Sequence, residues 1–202
     1  MGFLEAAEFF VQGVRHPFSV GSVFPTPPRI VRAVVDLMEV RRGDTVLELG
    51  PGSGAFTREI LHRMGEGGDS GVESSQLIAI ELIEGFARRL HAITGGNGCL
   101  RVVHGTAADL RRILCEHRIG QADRVLSGIP FSTLSEHEGR AIVFAVKEVL
   151  APQGRFIAYQ NYPRVRDFME EVFPCVEEHK LPWHFPSLTA YSARRNGRTV
   201  EH

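Results

Sequence analysis

Thr45 to Thr57 reads TVLELGPGSGAFT: an acid, Glu48, stands near the end of an alternating apolar run, and Gly50, Gly52 and Gly54 follow it. Glycine reaches positive φ cheaply and has no Cβ, so a turn of this composition lets backbone approach a ligand closely before a helix begins. The run points to an adenosine-containing cofactor. The acid decides which one. At a dinucleotide site the helix N-terminus faces a pyrophosphate, which a carboxylate beside the loop would repel. S-adenosylmethionine carries an ammonium, a sulfonium and no phosphate, so its charge suits a loop entered through Glu48. A bare glycine pattern carries little weight, whereas the full succession of strand, acid, glycines and helix is specific.

A second acid, Glu81, ends the apolar run LIAIE, where a carboxylate can accept both hydroxyls of a ribose. It lies further from the glycines than usual, and the polar, glycine-rich stretch Gly65–Ser75 accounts for the added length. In HGTAADL, Thr106 holds the place where an Asp would meet the adenine amine, and Asp109 comes too late. Adenine recognition then falls to the backbone around Thr106 and Ala107. The reacting group is expected at SGIPFSTL, Ser127 to Leu134. Pro130 has no N–H, so carbonyls near it are freed from ladder pairing and can accept from a substrate amine. The Phe131 ring can cover a cationic centre. Both features suit methylation of nitrogen; the same residues also read as a plain turn with Phe131 in the core.

To bring these groups together, several strands must end side by side. After Gly43 the pattern alternates strand and helix, which predicts an α/β, Rossmann-like domain with a mostly parallel, seven-stranded sheet covered on both faces. Strands are expected at Thr45–Leu49, Leu77–Glu81, Leu100–Val103, Arg124–Ser127 and Arg155–Gln160, with Cys175–Leu181 and Leu188–Ala193 closing the sheet. Helices are expected at Phe56–Met64, Ile83–Ile93, Ala108–His117 and Glu136–Leu150. Residues 1–40 form a helical extension ahead of a domain over 41–202. Phe3, Leu4, Ala7, Phe10, Val11 and Val14 recur at helical spacing until Pro17, and Thr26 opens a further helix with Ile30, Val31, Val34, Val35, Leu37 and Met38 on its apolar side.

The chain has 202 residues, 43% apolar and 23% charged, which is ordinary usage for one domain with a full core. A formal charge of −1 provides no overall basic field to recruit nucleic acid. Cys99, Cys115 and Cys175 are scattered and lack CxxC spacing, so reduced cytoplasmic thiols are expected rather than disulfides or zinc. The histidines include no HExxH pair, and no metal is expected. The longest apolar candidate for a membrane span, Ala141–Ala151, is broken by Lys147 and Glu148. Glu5 and Glu8 stand where a signal peptide would be basic. Arg194, Arg195 and Arg198 read as a solvated basic tail.

The chain resembles the soluble, S-adenosylmethionine-dependent bacterial phospholipid N-methyltransferases. The likeness runs through VGSVFPTP, VLELGPGSGAFT, VVHGTAADL, VLSGIPF, FIAYQNYPRV and the closing HFPSLTAYSARR, nearly the whole length. VGSVFPTP together with SGIPF discriminates better than ELGPGSG, which many methyltransferases share, the rRNA adenine dimethylases among them. The resemblance implies a class I methyltransferase fold, with cofactor contacts at Glu48, Gly50, Gly52, Gly54, Glu81 and Ser127; Leu82, Thr106 and Ala107 complete the expected cofactor contacts. It implies a lipid-head pocket lined by Ser22, Phe24 and Pro25, by Gly128, Ile129, Pro130 and Phe131, and by Tyr159 and Tyr162. Thr106 departs from the family's Asp. The N-terminal helix, which in the family lies on anionic membranes, carries Glu5 and Glu8 here and can equally pack on its own domain.

The implied reaction is in-line displacement, in which a neutral amine of phosphatidylethanolamine or its partly methylated forms attacks the sulfonium methyl. Tyr159, Tyr162 and His184 are candidate bases, each of which also reads as a packing or positioning residue. The expectation is a monomer, located in the cytoplasm and held peripherally at the inner face of the membrane. Competing readings are rRNA adenine dimethylation, methylation of a small soluble amine and a non-catalytic module that binds the cofactor.

Overall fold

Pro28 fixes the φ that a helix needs and lacks the N–H that a first turn leaves unpaired, so the helix begins there. The structure, a computed structural model, describes residues 26–65, 75–93, 98–181 and 188–197. The expected helix over 1–16, the segment with Ser22, Phe24 and Pro25, most of the Gly65–Ser75 loop, Trp183, His184 and Arg198 lie outside the described residues.

Helix α1 (Pro28–Met38) buries Ile30, Val31, Val34, Val35 and Met38, one apolar face at helical spacing. Pro27, not Thr26, occupies its N-cap position, and the Pro27 carbonyl accepts the N–H groups of Ile30 and Val31. The helix ends at Glu39, which is held at φ 53° in the left-handed region. The Glu39 carboxylate pairs with Arg155 at 2.8 Å and Arg194 at 3.1 Å, and its carbonyl accepts from Arg124. Although α1 falls within the expected extension, it is part of the domain's core. Arg194 is consequently tied to α1, and Arg195 donates to the Leu150 carbonyl, so neither belongs to a free tail.

The remaining elements alternate. They are β1 (Thr45–Leu49), α2 (Ala55–Met64), β2 (Gln76–Glu81), α3 (Glu84–Ile93), β3 (Leu100–His104), α4 (Leu110–Glu116), β4 (Ala122–Ser127), α5 (Glu136–Val149), β5 (Leu150–Gln160), α6 (Arg164–Glu170), β6 (Val176–Leu181) and β7 (Leu188–Arg194). The strands form one sheet in the order β3-β2-β1-β4-β5-β7-β6, in which β7 alone runs antiparallel to its neighbours. This is the expected class I methyltransferase architecture.

Alternation along the strands sends side chains to two layers. On one face Val46, Leu126 and Ile157 pack with α1 and with Phe56, Ile60 and Met64 of α2. On the other, Leu47, Leu49, Val125 and Phe156 pack with α4, α5 and α6. Two differences from expectation stand out. β5 starts at Leu150 rather than Arg155 because α5 passes directly into it, with the β4 pairing shifted between Ala122 and Arg124. Helix α6 is unanticipated: seven residues are too few for its buried triplet Val165, Phe168 and Met169 to register as a period.

Candidate active site

Strand order reverses between β1 and β4, and crevices form beyond the C-terminal ends of strands at such a point. The ends are stitched to one another past the last strand residues. Gly50 N–H donates to the Ile80 carbonyl at 2.9 Å, Gly105 N–H to Glu81 at 3.0 Å, and Gly128 N–H to Leu49 at 2.8 Å. Beyond them opens a cleft enclosing about 780 Å³ of empty space, part of it continuous with solvent. Its walls include Gly50 and Gly52 after β1, Glu81 and Leu82 after β2, Thr106 and Ala107 after β3, and Gly128, Ile129 and Pro130 after β4.

Gly50, Gly52 and Gly54 all have positive φ, at 70°, 53° and 76°. At Gly52 a Cβ would enter open space, which leaves bare backbone facing the cleft, while at Gly50 it would press on Ile129 at 3.4 Å. Gly54 is the N-cap of α2 and has no side chain to cap it. The first N–H groups of that helix therefore receive no side-chain cap from their own N-cap residue.

Glu81 is 4% exposed and is oriented by its own loop: Oε2 accepts from Gly52 N–H at 3.1 Å and Oε1 from Ile83 N–H at 2.9 Å. Each oxygen keeps a further lone pair for a ligand hydroxyl. Burial raises its pKa, and the two backbone donors oppose that rise.

Glu48 occupies the opposite face of β1 from the leucines, within the α1/α2 layer. It is 2% exposed, and its Oε2 accepts the Thr57 hydroxyl at 2.6 Å. Burial lifts its pKa to about 7; the Thr57 bond pulls downward and the charge of Glu81 pushes further up. A buried carboxylate in this state is poised to ionise when a cation arrives. Thr57 escaped the sequence reading, although its place one turn into α2 is the signal that could have found it.

Tyr159 is partly buried, stacked on Phe56 with centroids 4.5 Å apart. Burial and then the nearby Glu48 raise its phenol pKa, so it holds its proton tightly and is a poor base. Tyr162 is 64% exposed, after the end of β5, and does not line the cleft.

Several expected contacts are rearranged. Phe131 is fully buried and tilted against Phe168, so its ring belongs to the core rather than to the cleft wall. Ser127 is fully buried and its hydroxyl accepts from Ile129 N–H. The carbonyls beside Pro130 are not vacant: Ile129 O accepts from Gln160 Nε2 at 2.6 Å, and Pro130 O accepts from the Thr133 hydroxyl and N–H. Gly128 O accepts no hydrogen bond among the described residues, which narrows the carbonyls open to an amine. The Thr106 hydroxyl caps the short 3-10 turn Ala107–Asp109 by accepting from Ala108 N–H, and Asp109 is paired with Arg112 at 2.7 Å. Asp109 thus does not replace the missing acid. No cluster that could hold a metal occurs among the described residues, and none of their helices is long and apolar enough to cross a membrane.

Residues 14–121, just over half the chain, match the family model described as ribosomal RNA adenine dimethylase. The chain belongs to that family. It is a methyltransferase dependent on S-adenosylmethionine. An ornithine lipid N-methyltransferase of Singulisphaera acidiphila is 31% identical over 185 residues, covering 89% of this chain and 91% of that relative. A ribosomal RNA small subunit methyltransferase A of Geobacter metallireducens is 27% identical over 60% of the chain, and the match spans 41% of its length. Among solved structures, the N-methyltransferase NodS of Bradyrhizobium japonicum superposes with a TM-score of 0.67 at 12% identity, covering 82% of this chain and 94% of that one, a likeness of fold.

The residues present fit the cofactor. Bare glycine backbone faces the cleft at Gly52 and a carboxylate with spare lone pairs stands at Glu81, while behind the lining Glu48 is a buried carboxyl with no salt bridge among the described residues.

Proposed function

We propose that this enzyme methylates the amino group of a membrane lipid, an ornithine lipid or the phosphatidylethanolamine class, at the inner surface of the cytoplasmic membrane. One observation carries the reading. The ornithine lipid enzyme matches the chain nearly end to end in both directions, whereas the match to the ribosomal RNA enzyme of Geobacter metallireducens stops at 41% of that protein. The near-zero net charge also disfavours a polyanionic RNA.

In this reading Glu81 holds the ribose hydroxyls, and Gly50 and Gly52 lie against the nucleoside. Leu82, Thr106, Ala107 and Ile129 surround the adenine, and Glu48 balances the cofactor's positive end. When bound, S-adenosylmethionine supplies an already activated methyl group, so the protein chiefly aligns the partners and excludes water. The Gly128 carbonyl accepts from the incoming amine. In this reading neither tyrosine is the base, since Tyr159 retains its proton and Tyr162 does not line the cleft, and the amine that reacts is the neutral form. The N-terminal segment, with Ser22, Phe24 and Pro25, supplies the lipid side, and the enzyme acts as a monomer.

Labelled S-adenosylmethionine, offered with vesicles containing ornithine lipid or phosphatidylethanolamine and separately with small-subunit ribosomal RNA, tests this. Label is expected in lipid. Label in RNA alone would overturn the reading.

A further inference from the structure

We propose that Gln160 is a positioning residue for methyl transfer, its side-chain amide clipping the Gly128–Phe131 wall of the cleft by bonding the backbone on both sides of Pro130. The β4–β5 ladder stops at the Ser127↔Ala158 pair, and the proline that follows has no N–H to extend it. Ile129 O and Phe131 N–H are thus left without strand partners in a place where unmet polar groups are costly. Gln160, the last residue of β5 and 7% exposed, meets both: Nε2 donates to Ile129 O at 2.6 Å, and Oε1 accepts from Phe131 N–H at 3.3 Å.

A primary amide offers one donor and one acceptor in a single plane, as a peptide unit does, so the side chain stands in for the missing rung. Its far end is anchored because Phe131 is fully buried against Phe168. The preceding residue braces the same wall. A Cβ on Gly128 would strike the Tyr159 hydroxyl and come within 3.0 Å of the Gly50 carbonyl. Successive residues of β5 therefore set where Gly128, Ile129 and Pro130 stand. An ionised Glu would lack the donor, Asn is a methylene too short, and Leu offers neither group. The inference rests on methyl transfer in this cleft and not on which amine accepts.

The test compares full-length wild type with Gln160→Leu and Gln160→Glu, each checked for melting temperature and for S-adenosylhomocysteine affinity by calorimetry. In the vesicle assay, kcat of Gln160→Leu is expected to fall about 10- to 100-fold through misplacement of the wall. The KM for S-adenosylmethionine should stay within about threefold, since Glu81 and the glycine turn are untouched. Gln160→Glu should match the Leu variant at high pH and regain rate relative to wild type at the same pH as pH falls, when a protonated carboxyl again donates and accepts. Hydrogen exchange across 128–134 should quicken in Gln160→Leu. An unchanged kcat, or a rate loss that follows the unfolded fraction with no recovery of the Glu variant at low pH, would sink the inference. If wild type labels no lipid, the substrate reading fails alone. Exchange across 128–134 then decides: faster in Gln160→Leu supports the clip, equal to wild type removes it.

Discussion

At the scale of single residues, Glu48 is a buried carboxyl, set behind the residues that line the cleft, whose charge is balanced near neutral pH. Its carboxyl titrates near 4.5 when unfolded and near 7 when folded, so between those values the native state keeps a proton that the unfolded chain has lost. Stability from this group is whole below pH 4.5 and declines as pH rises to about 7, by a total of about 3 kcal/mol. Urea unfolding at pH 5 and pH 7.5 should show that decline, and Glu48→Gln should flatten it. A bound cation reverses the effect by pulling the pKa down, so titration of S-adenosylmethionine near neutral pH should release a proton, seen as a dependence of binding heat on buffer. Glu48 and the three glycines were legible as candidates because their chemistry is written in one short run, and Glu81 because it closes an apolar strand. Gln160 was not, because its partners are about thirty residues away and meet it only through strand pairing. Phe131 read both as a cleft ring and as core for a similar reason: which of the two an aromatic becomes depends on α6, whose Phe168 it touches.

At the scale of elements, α5 shows how packing overrides propensity. It opens with a capping box, in which the Ser135 hydroxyl accepts from Glu138 N–H and the Glu138 carboxylate accepts from Ser135 N–H. Gly139, inside the helix, is an apparent weak point that alanine would ordinarily improve by about 1 kcal/mol. Here a Cβ would overlap the Phe168 ring, so Gly139→Ala should instead destabilise by about 1 to 3 kcal/mol, measured by thermal or chemical denaturation. The glycine is what lets α6 lie against α5. The strands and long helices were readable from their periods, and apart from the start of β5 every strand boundary falls within two residues of where alternation and turn residues put it. The start of β5 and the existence of α6 were not, since the first depends on register against β4 and the second on a contact between two helices.

At the scale of the whole molecule, the cleft that we propose holds the cofactor draws on four strand ends, from Gly50 to Pro130, joined by backbone bonds across loops. A ligand touching all of them ties together most of the parallel sheet. At a concentration of 100 times its dissociation constant, S-adenosylhomocysteine should add about 2.7 kcal/mol. In a chain of this length that raises the melting temperature by roughly 5 to 10 °C. Glu81→Ala should abolish most of the shift in differential scanning calorimetry; an undiminished shift would place the nucleoside elsewhere.

Because side chains alternate along each strand, Glu48 and Glu81 leave the same face of the sheet as Val46 and Leu77, which pack on the α1 and α2 layer, and the Glu81 charge bears on Glu48. The two acids, and the layer behind them, are therefore bound to change together. Among descendants of one ancestor, repacking of the α1 and α2 layer is expected to disturb both at once, so tolerated change should gather elsewhere.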